Sequence, residues 1–187
     1  LTLSDGLTID STIETTTVNA AIDGASTSSI DIQSADIRLG ANLTTTSTNL
    51  TLGGNVMVAD GLSLTLTTGS GAGTIQITGS LDGTTGATAE SLTLTAGTGD
   101  VILNGVGTAG VDDLESLAVT SAANAQINGA VDLNTSLMIS ANSVTLGADV
   151  VAGEVVDVTA ADGSITIQGV LDTSINSSDV NLTATAG

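Results

Sequence analysis

A two-part phrase recurs along this chain and constrains its fold more than any other feature. The phrase consists of alternating aliphatic residues, a small turn, a second alternating pair and a glycine. The clearest copies are SLTLTAGTGDVILNG at residues 91–105 and VVDVTAADGSITIQG at residues 155–169. In the first copy nine residues separate Leu92 from Val101, and in the second nine separate Val156 from Ile165. Repetition at intervals of about 20–50 residues is typical of solenoids, whose units cannot bury their apolar faces alone.

The composition indicates how such a core is filled. The chain has 187 residues, 41% of them hydrophobic, with 23 Gly and no Pro, Cys, His, Trp, Tyr or Phe. This length suits one or two ordinary domains or one continuous stack of repeats. Because large aromatic side chains are absent, we expect a thin, regularly layered aliphatic core. Strict alternation of the apolar residues argues against disorder despite the high charge.

The charged and reactive residues exclude several classes of function. The chain carries 20 acidic residues against one base, Arg38, for a formal net charge of −19. Without His, Cys or Lys it cannot form a Ser-His-Asp triad, a thiol nucleophile, a common zinc site or a Schiff base. Its charge repels nucleic-acid phosphates and it has no aromatic ring for base stacking, so we expect no nucleic-acid partner. We also expect no cofactor, and no membrane insertion because no apolar run approaches about 18 residues.

Alternation with a period of two predicts β-strands with aliphatic residues on one face. Each copy of the phrase predicts a first and a second strand. The predicted first strands start at Ile30, Leu43, Leu62, Leu92, Leu117, Leu137, Val156 and Val180. The predicted second strands start at Ile37, Leu50, Ile75, Val101, Ala125, Val144 and Ile165. Before Ser29 the aliphatic pattern continues, at Leu1, Leu3, Leu7, Ile9, Ile13, Val18 and Ile22, but the phrase does not fix its register.

These spacings predict an all-β fold, a parallel β-helix (β-solenoid) of about eight coils of roughly 19–25 residues, continuous over residues 1–187. At about 4.8 Å per coil the stack is a rod about 40 Å long. The intervals between successive predicted first strands are unequal, and insertions at corners, as at residues 81–90 and 106–115, explain the differences. A third short strand is predicted after the glycine, near Ser80, Ala130 and Val170. The rival fold, a chain of immunoglobulin-like sandwiches, requires core aromatic residues and Greek-key spacing that this sequence lacks.

Stacking such coils predicts columns of outward polar side chains. One column contains Thr46, Thr65, Thr95, Thr120, Ser140, Thr159 and Thr183, and a column on the second strands contains Thr78, Asn104, Asn128 and Gln168. One interpretation is that these hydroxyl and amide ladders bond between coils. The other is an ice-binding face of regular Thr-x-Thr pairs. The pairs Thr44/Thr46, Thr65/Thr67 and Thr93/Thr95 fit that face, whereas Ala118, Met138, Asp157 and Asn181 in the neighbouring column interrupt it.

The acidic residues are concentrated at predicted turns. They are Asp60, Asp82, Asp100, Asp112, Asp113, Glu115, Asp149, Glu154 and Asp162. Paired carboxylates such as Asp112 and Asp113 suit Ca²⁺ binding or polysaccharide hydrolysis, whereas isolated ones cap turns and keep a long fibre soluble. Because their spacing is irregular and no calcium-binding repeat is present, we predict no dedicated metal site, only weak Ca²⁺ binding or bridging by surface carboxylates.

The phrases SLTLTAGTGDVILNGVG, SLAVTSAANAQINGAV and NSVTLGADVV resemble the β-strand repeats of giant bacterial surface proteins, the filamentous-haemagglutinin-like adhesins. The resemblance covers roughly residues 30–187. It implies a right-handed parallel β-helix, export to the cell surface and a role as stalk, fibre or adhesive shaft. It brings no catalytic residues to this chain. Since the phrase is already running at Leu1 and is incomplete at NLTATAG, we expect a segment of a longer repetitive chain.

The sequence therefore predicts a structural segment of an extracellular or cell-surface fibre that associates with itself or with neighbouring segments of the same fibre. A second hypothesis is a β-solenoid module that binds carbohydrate, such as a surface polysaccharide, or ice or mineral. A third is a polysaccharide-degrading enzyme. It is disfavoured because a lyase needs a base and Arg38, assigned to a second strand, is the one candidate.

Overall fold

The computed structural model describes residues 1–24, 28–84, 89–107, 114–173 and 179–185. Every secondary-structure element assigned in these ranges is a β-strand. No helix in the described ranges is long and apolar enough to cross a membrane. In chain order the strands are β1 (Thr2–Leu3), β2 (Leu7–Ile9), β3 (Thr15–Val18), β4 (Ile22–Gly24), β5 (Ile30–Ile32), β6 (Asp36–Leu39), β7 (Leu43–Thr44), β8 (Leu50–Leu52), β9 (Asn55–Val58), β10 (Ser63–Thr67), β11 (Ile75–Asp82), β12 (Ser91–Thr95), β13 (Val101–Val106), β14 (Ser116–Ser121), β15 (Asn124–Ile127), β16 (Val131–Leu133), β17 (Ser136–Ala141), β18 (Ser143–Leu146), β19 (Val150–Ala152), β20 (Val155–Ala160), β21 (Ile165–Ile167), β22 (Leu171–Asp172) and β23 (Asp179–Ala184).

The strands stack in parallel to form three faces of a β-solenoid of about eight turns. The first face is a 9-stranded sheet in the order β1-β4-β7-β10-β12-β14-β17-β20-β23. The second and third faces belong to one 14-stranded sheet. The second face runs β2-β5-β8-β11-β13-β15-β18-β21, and the third contains β3, β6, β9, the ends of β11 and β13, β16, β19 and β22. The predicted parallel β-solenoid is confirmed.

The coils differ in length while their strands keep register. Partners on the first face lie 19 residues apart where Leu137 pairs with Val156, and 28 apart where Leu64 pairs with Leu92. Leu92 and Leu117 pair across 25 residues. The two longer coils are those that contain the predicted insertions at residues 81–90 and 106–115, of which residues 85–88 and 108–113 lie outside the described residues. Extra length is therefore accommodated between the paired strands.

The predicted register is wrong at the two earliest positions. Ile30 pairs with Leu50 on the second face, and Ile37 pairs with Val56 on the third, so neither lies on the strand predicted for it. The spacing misleads because the seven residues from Ile30 to Ile37, on the second and third faces, equal the gap between first and second strands in other coils.

Two further details of the register come from the structure. In the run LSLTLT it is Leu64, not Leu62, that pairs with Leu92, because three leucines at alternate positions leave the phase of the strand open. The first residues, which the phrase could not register, form the first coil: Thr2 pairs with Asp23 and Leu7 with Ile30. The predicted third strand is confirmed by β16, β19, β22 and the end of β11.

The core is a continuous column of inward aliphatic side chains. In the central coils these side chains are almost fully buried, as for Leu103, Leu137 and Val156 at 0% exposure. Since each inward residue packs on its register partners one coil above and below, every added coil buries one more layer. The alternating sequence therefore gives alternating burial: in β20, Val156, Val158 and Ala160 are buried and the residues between them are half-buried.

Small side chains fill the corner where the first face ends. They are Thr45, Thr68, Ala96, Ala122, Ala141 and Ala160, all buried. Thr45 Oγ1 donates a 2.6 Å hydrogen bond to the Thr48 carbonyl, and Thr68 Oγ1 donates one of 2.7 Å to the Gly73 carbonyl. Each buried hydroxyl group thus donates a hydrogen bond to a backbone carbonyl in its own corner. An aliphatic side chain at the same position would leave that carbonyl without this bond.

Gly97 occupies the next turn in a conformation that favours glycine. Its φ is +58°, in the left-handed region, and a Cβ there would lie 2.6 Å from the Gly69 carbonyl oxygen of the coil below. Glycine in the phrase therefore allows two successive corners to approach each other closely.

Candidate functional site

The outward positions of the first face form three columns. The register aligns Ser63, Ser91, Ser116 and Ser136 in the first of them. The hydroxyl groups of Ser116 and Ser91 are joined by a hydrogen bond of 2.9 Å. A ladder of serine side chains therefore follows the start of these strands.

The column that we name the hydroxyl column runs along the end of the strands. It contains Thr44, Thr67, Thr95, Thr120, Ser140, Thr159 and Thr183. Thr95 Oγ1 and Thr120 Oγ1 lie 2.7 Å apart and share a hydrogen bond. The prediction is confirmed from Thr95 to Thr183 but wrong for Thr46 and Thr65. Thr46 lies beyond the end of β7, and Thr65 pairs with Thr93 in the neighbouring column.

The neighbouring column contains Thr65, Thr93, Ala118, Met138, Asp157 and Asn181. It changes character half-way along the rod, from threonine to apolar and acidic side chains. Among the outward positions of β10, β12, β14, β17 and β20, Asp157 is the one charged residue. These five strands are therefore poor in charge although the protein carries a formal charge of −19, and the first face has further outward carboxylates nearer its ends, at Asp23 of β4 and Asp179 of β23.

A groove of about 280 Å³ lies between the hydroxyl column and the neighbouring column. Ala118, Met138 and Asp157 form one side and Thr120, Ser140 and Thr159 the other. Met138 is 51% exposed, whereas the other exposed large aliphatic residues, such as Leu1 and Val180, belong to the first or last coil. The sequence signal for this groove is the interruption of the threonine pattern at Ala118 and Met138, the same residues that count against an ice-binding face.

The second face carries the predicted ladder of amide side chains. Leu103 pairs with both Ile77 and Ile127, which brings the residues after them, Asn104, Thr78 and Asn128, to successive levels. The Asn104 side chain donates a hydrogen bond to the Thr78 carbonyl, and Gln126 donates one of 2.5 Å to Asn128 Oδ1. The first of these bonds joins two coils, which supports the interpretation of the ladder, whereas the second lies within one coil.

Several turn residues also join successive coils. Asp100 Oδ1 accepts hydrogen bonds from the backbone and side-chain nitrogens of Asn124, at 3.1 and 2.8 Å. Asp149 Oδ1 accepts one of 2.8 Å from the Val170 backbone nitrogen. Both aspartates therefore serve the stack itself by binding donors of the next coil.

Two carboxylates are buried instead of lying in solvated turns. Asp82, predicted at a turn, ends β11 at 7% exposure and accepts a 2.6 Å hydrogen bond from Ser80 Oγ. Glu90 is 4% exposed and accepts a 3.2 Å hydrogen bond from the Gly61 backbone nitrogen. Asp112 and Asp113 lie outside the described residues. Within the described ranges, no group of three or more His, Cys, Asp or Glu residues is placed to hold a metal ion.

The one basic side chain, Arg38, lies on the third face and not on a second strand as predicted. Register aligns it between Thr17 and Met57, and it is exposed. With Asp60 and Thr84 these residues border a depression of about 480 Å³. The acidic neighbour that the sequence did not indicate is therefore Asp60, which reaches the same depression from the turn after β9.

The chain has no match in any of three comparisons with known proteins: no protein-family model, no curated protein and no solved structure is similar to it. The resemblance to adhesin repeats therefore rests on the repeated strands alone.

Proposed function

We propose that this chain is a rod-forming segment of an extracellular or cell-surface fibre, a shaft that provides reach and stiffness. The observation that supports the proposal best is the unbroken parallel stack of about eight coils on three faces. Each coil adds a ladder of in-register hydrogen bonds and one aliphatic layer, so stability grows through nearest-neighbour terms. The assignment to the cell surface follows from the resemblance to adhesin repeats.

The distribution of constant and variable positions supports a shaft. The inward strand positions of the described coils are mostly aliphatic, whereas the outward positions of one column change from Thr93 to Ala118, Met138 and Asp157. What recurs in the described coils is therefore the packing and the ladders of hydroxyl groups that stack with it, whereas the column between those ladders varies.

The two ends of the stack support association along its axis. Val156, on the last strand but one of the first face, is fully buried, whereas its register partner Val180 in β23 is 42% exposed and Leu182 is 46% exposed. At the other end Leu1 is 69% exposed. Strand edges with exposed aliphatic residues pair readily with further strands. We propose that further coils, of the same fibre or of a second copy, cover these ends.

Negative-stain electron microscopy and light scattering over a range of concentrations test the proposal. We expect rods about 40 Å long that lengthen in steps as the concentration rises. Leu182→Lys places a charge in the inward column of β23 and should prevent lengthening. Thr183→Lys adds the same charge to the outward side of the same strand and is the matched control.

Two outcomes would contradict the proposal. Compact particles without a long axis would exclude a rod. Single rods that never lengthen, either alone or within a longer chain, would exclude the fibre. The proposal also assigns no catalysis to the chain, and an assay for release of reducing ends or unsaturated products from neutral and acidic polysaccharides should give none.

A further inference from the structure

We infer that the groove on the first face is a binding site for a neutral polysaccharide, with the sugar chain lying along the rod axis. The inference goes beyond a structural role, since a shaft does not require any of its faces to bind a ligand. Its basis is the chemistry of one short stretch of the first face, where β14, β17 and β20 stack.

One side of the groove is apolar and the other carries hydroxyl groups. A sugar ring has the same two kinds of surface, an apolar C–H face and an edge of hydroxyl groups. Ala118 and Met138 offer apolar surface, which suits the C–H face of a pyranose ring. Thr120, Ser140 and Thr159 offer hydroxyl groups at successive levels about 4.8 Å apart. The ring's own hydroxyl groups project from its edge and can meet this ladder.

Two of the three hydroxyl groups that line the groove, and its one carboxylate, are free to accept a ligand. Within the described residues, neither the Ser140 and Thr159 hydroxyl groups nor the Asp157 carboxylate makes a hydrogen bond. By contrast, Thr95 and Thr120 lower in the same column bond to each other. A carboxylate accepts two hydrogen bonds, so Asp157 suits a pair of adjacent sugar hydroxyl groups.

Charge selects a neutral ligand. The outward positions of the five central strands carry no charge besides Asp157, so a neutral polymer approaches without desolvating other ions. An anionic polysaccharide would meet Asp157 within a protein of net charge −19. Uronate-rich polymers are therefore repelled where neutral glycans are admitted.

Size argues against a protein partner on this face. Five residues of strand on nine levels cover about 17 Å by about 40 Å, or about 700 Å². A stable protein interface needs about 800 Å² on each partner. The groove itself, at about 280 Å³, is close to the lower limit of ligand sites at about 300 Å³ and accommodates one or two sugar rings at a time.

Affinity electrophoresis of the whole chain in native gels tests the inference. The gels contain galactomannan, xyloglucan, mixed-linkage β-glucan or dextran as neutral probes, and polygalacturonate as the anionic probe. We expect retardation by at least one neutral polymer and none by polygalacturonate. Asp157→Asn should raise the dissociation constant at least about tenfold because it removes a charged acceptor, and Met138→Ala should cause a smaller loss.

Matched variants on other faces separate this site from general stickiness. Asp162→Asn, at an exposed turn, and Met57→Ala, on the third face, should bind as the unmodified chain does. Thermal unfolding of all four variants establishes that they are folded. The inference is overturned if no neutral polymer retards the chain, if polygalacturonate alone does, or if all four variants bind equally well.

A hydroxyl-rich face could instead bind ice, and the same preparations distinguish the two ligands. Growth of shaped ice crystals without retardation in any neutral gel would overturn the inference in favour of ice. Because the rod is tested by its length and the groove by its ligand, either proposal can fail while the other stands.

Discussion

The central coils and the terminal coils of this rod carry similar aliphatic residues at similar spacing, yet they differ in burial. Leu103, on a central coil, is fully buried, and Leu182, in the last strand, is 46% exposed. The difference is the number of neighbours, because a central coil packs on two coils and a terminal one on a single coil. In this fold a residue's contribution to stability depends on its level in the stack more than on its identity.

Hydrogen exchange should reveal the largest contrast between the two regions. Amides of β12, β14 and β17 are expected to exchange through global or near-global opening, whereas those of β21 and β22 exchange through fraying of the last coil. We expect rates that differ by about two orders of magnitude or more, since local opening costs far less than global opening. Mass spectrometry of peptides from both regions measures the contrast, and uniform protection along the chain would contradict it.

Truncating a leucine at the two levels should give unequal losses of stability. Leu103→Ala is expected to lower the free energy of unfolding by about 2–5 kcal/mol, because it removes buried atoms and leaves a cavity between two packed coils. Leu182→Ala should cost less than about 1 kcal/mol, since nearly half of the side chain is already in water. Urea unfolding followed by circular dichroism measures both variants, and equal losses would show that level does not matter.

The loss of stability on replacing a glycine with alanine should also depend on the position of that glycine in the stack. Gly97→Ala forces alanine to a φ of +58° and towards the Gly69 carbonyl, so we expect a loss of about 2 kcal/mol. Gly6→Ala in the first coil has no positive φ and its Cβ would lie 3.1 Å from the Ser29 carbonyl oxygen, so we expect a smaller loss. The midpoint of thermal unfolding compares the two variants. A midpoint for Gly97→Ala as high as that of the unmodified chain would refute the close-approach argument.

The smallest contrast concerns a single hydroxyl group. Thr68→Val keeps the shape of the buried side chain but removes the donor to the Gly73 carbonyl, and we expect a loss of about 1–3 kcal/mol. Thr166→Val, at an exposed position of β21, should change stability by about 0.5 kcal/mol or less. If the two variants unfold at the same urea concentration, the corner hydroxyl has no special role.

The sequence predicts the architecture because alternation and packing are both local. The pairs Leu92 with Val101 and Val156 with Ile165 start neighbouring strands of one coil, as the phrase implies. The register of the strands is harder to predict than the architecture. Because the inward residues are aliphatic, shifting a strand by two residues still places aliphatic residues inward. That degeneracy places Thr46 and Thr65 wrongly in the hydroxyl column, whereas Ile30 and Ile37 are misassigned because the same seven-residue gap separates different pairs of faces.

The candidate site was harder to predict than the fold. Met138 and Asp157 are recognisable as interruptions in a threonine pattern, but their meaning depends on lying beside Thr120, Ser140 and Thr159. That proximity is set by three coils, each of a different length, and no single stretch of sequence contains it. Arg38 and Asp60 come together for the same reason, across the third face.

The direction of the hydrogen bonds has a mechanical consequence. Because the strands lie across the rod, their ladders point along it, and a pull on the two ends loads the ladders one after another. The end coils, which are the least buried, should peel away first while the interior stays wound. A released coil of 19 to 28 residues can extend to about 65–100 Å in place of about 5 Å. Under load such a rod lengthens coil by coil and absorbs work before it breaks.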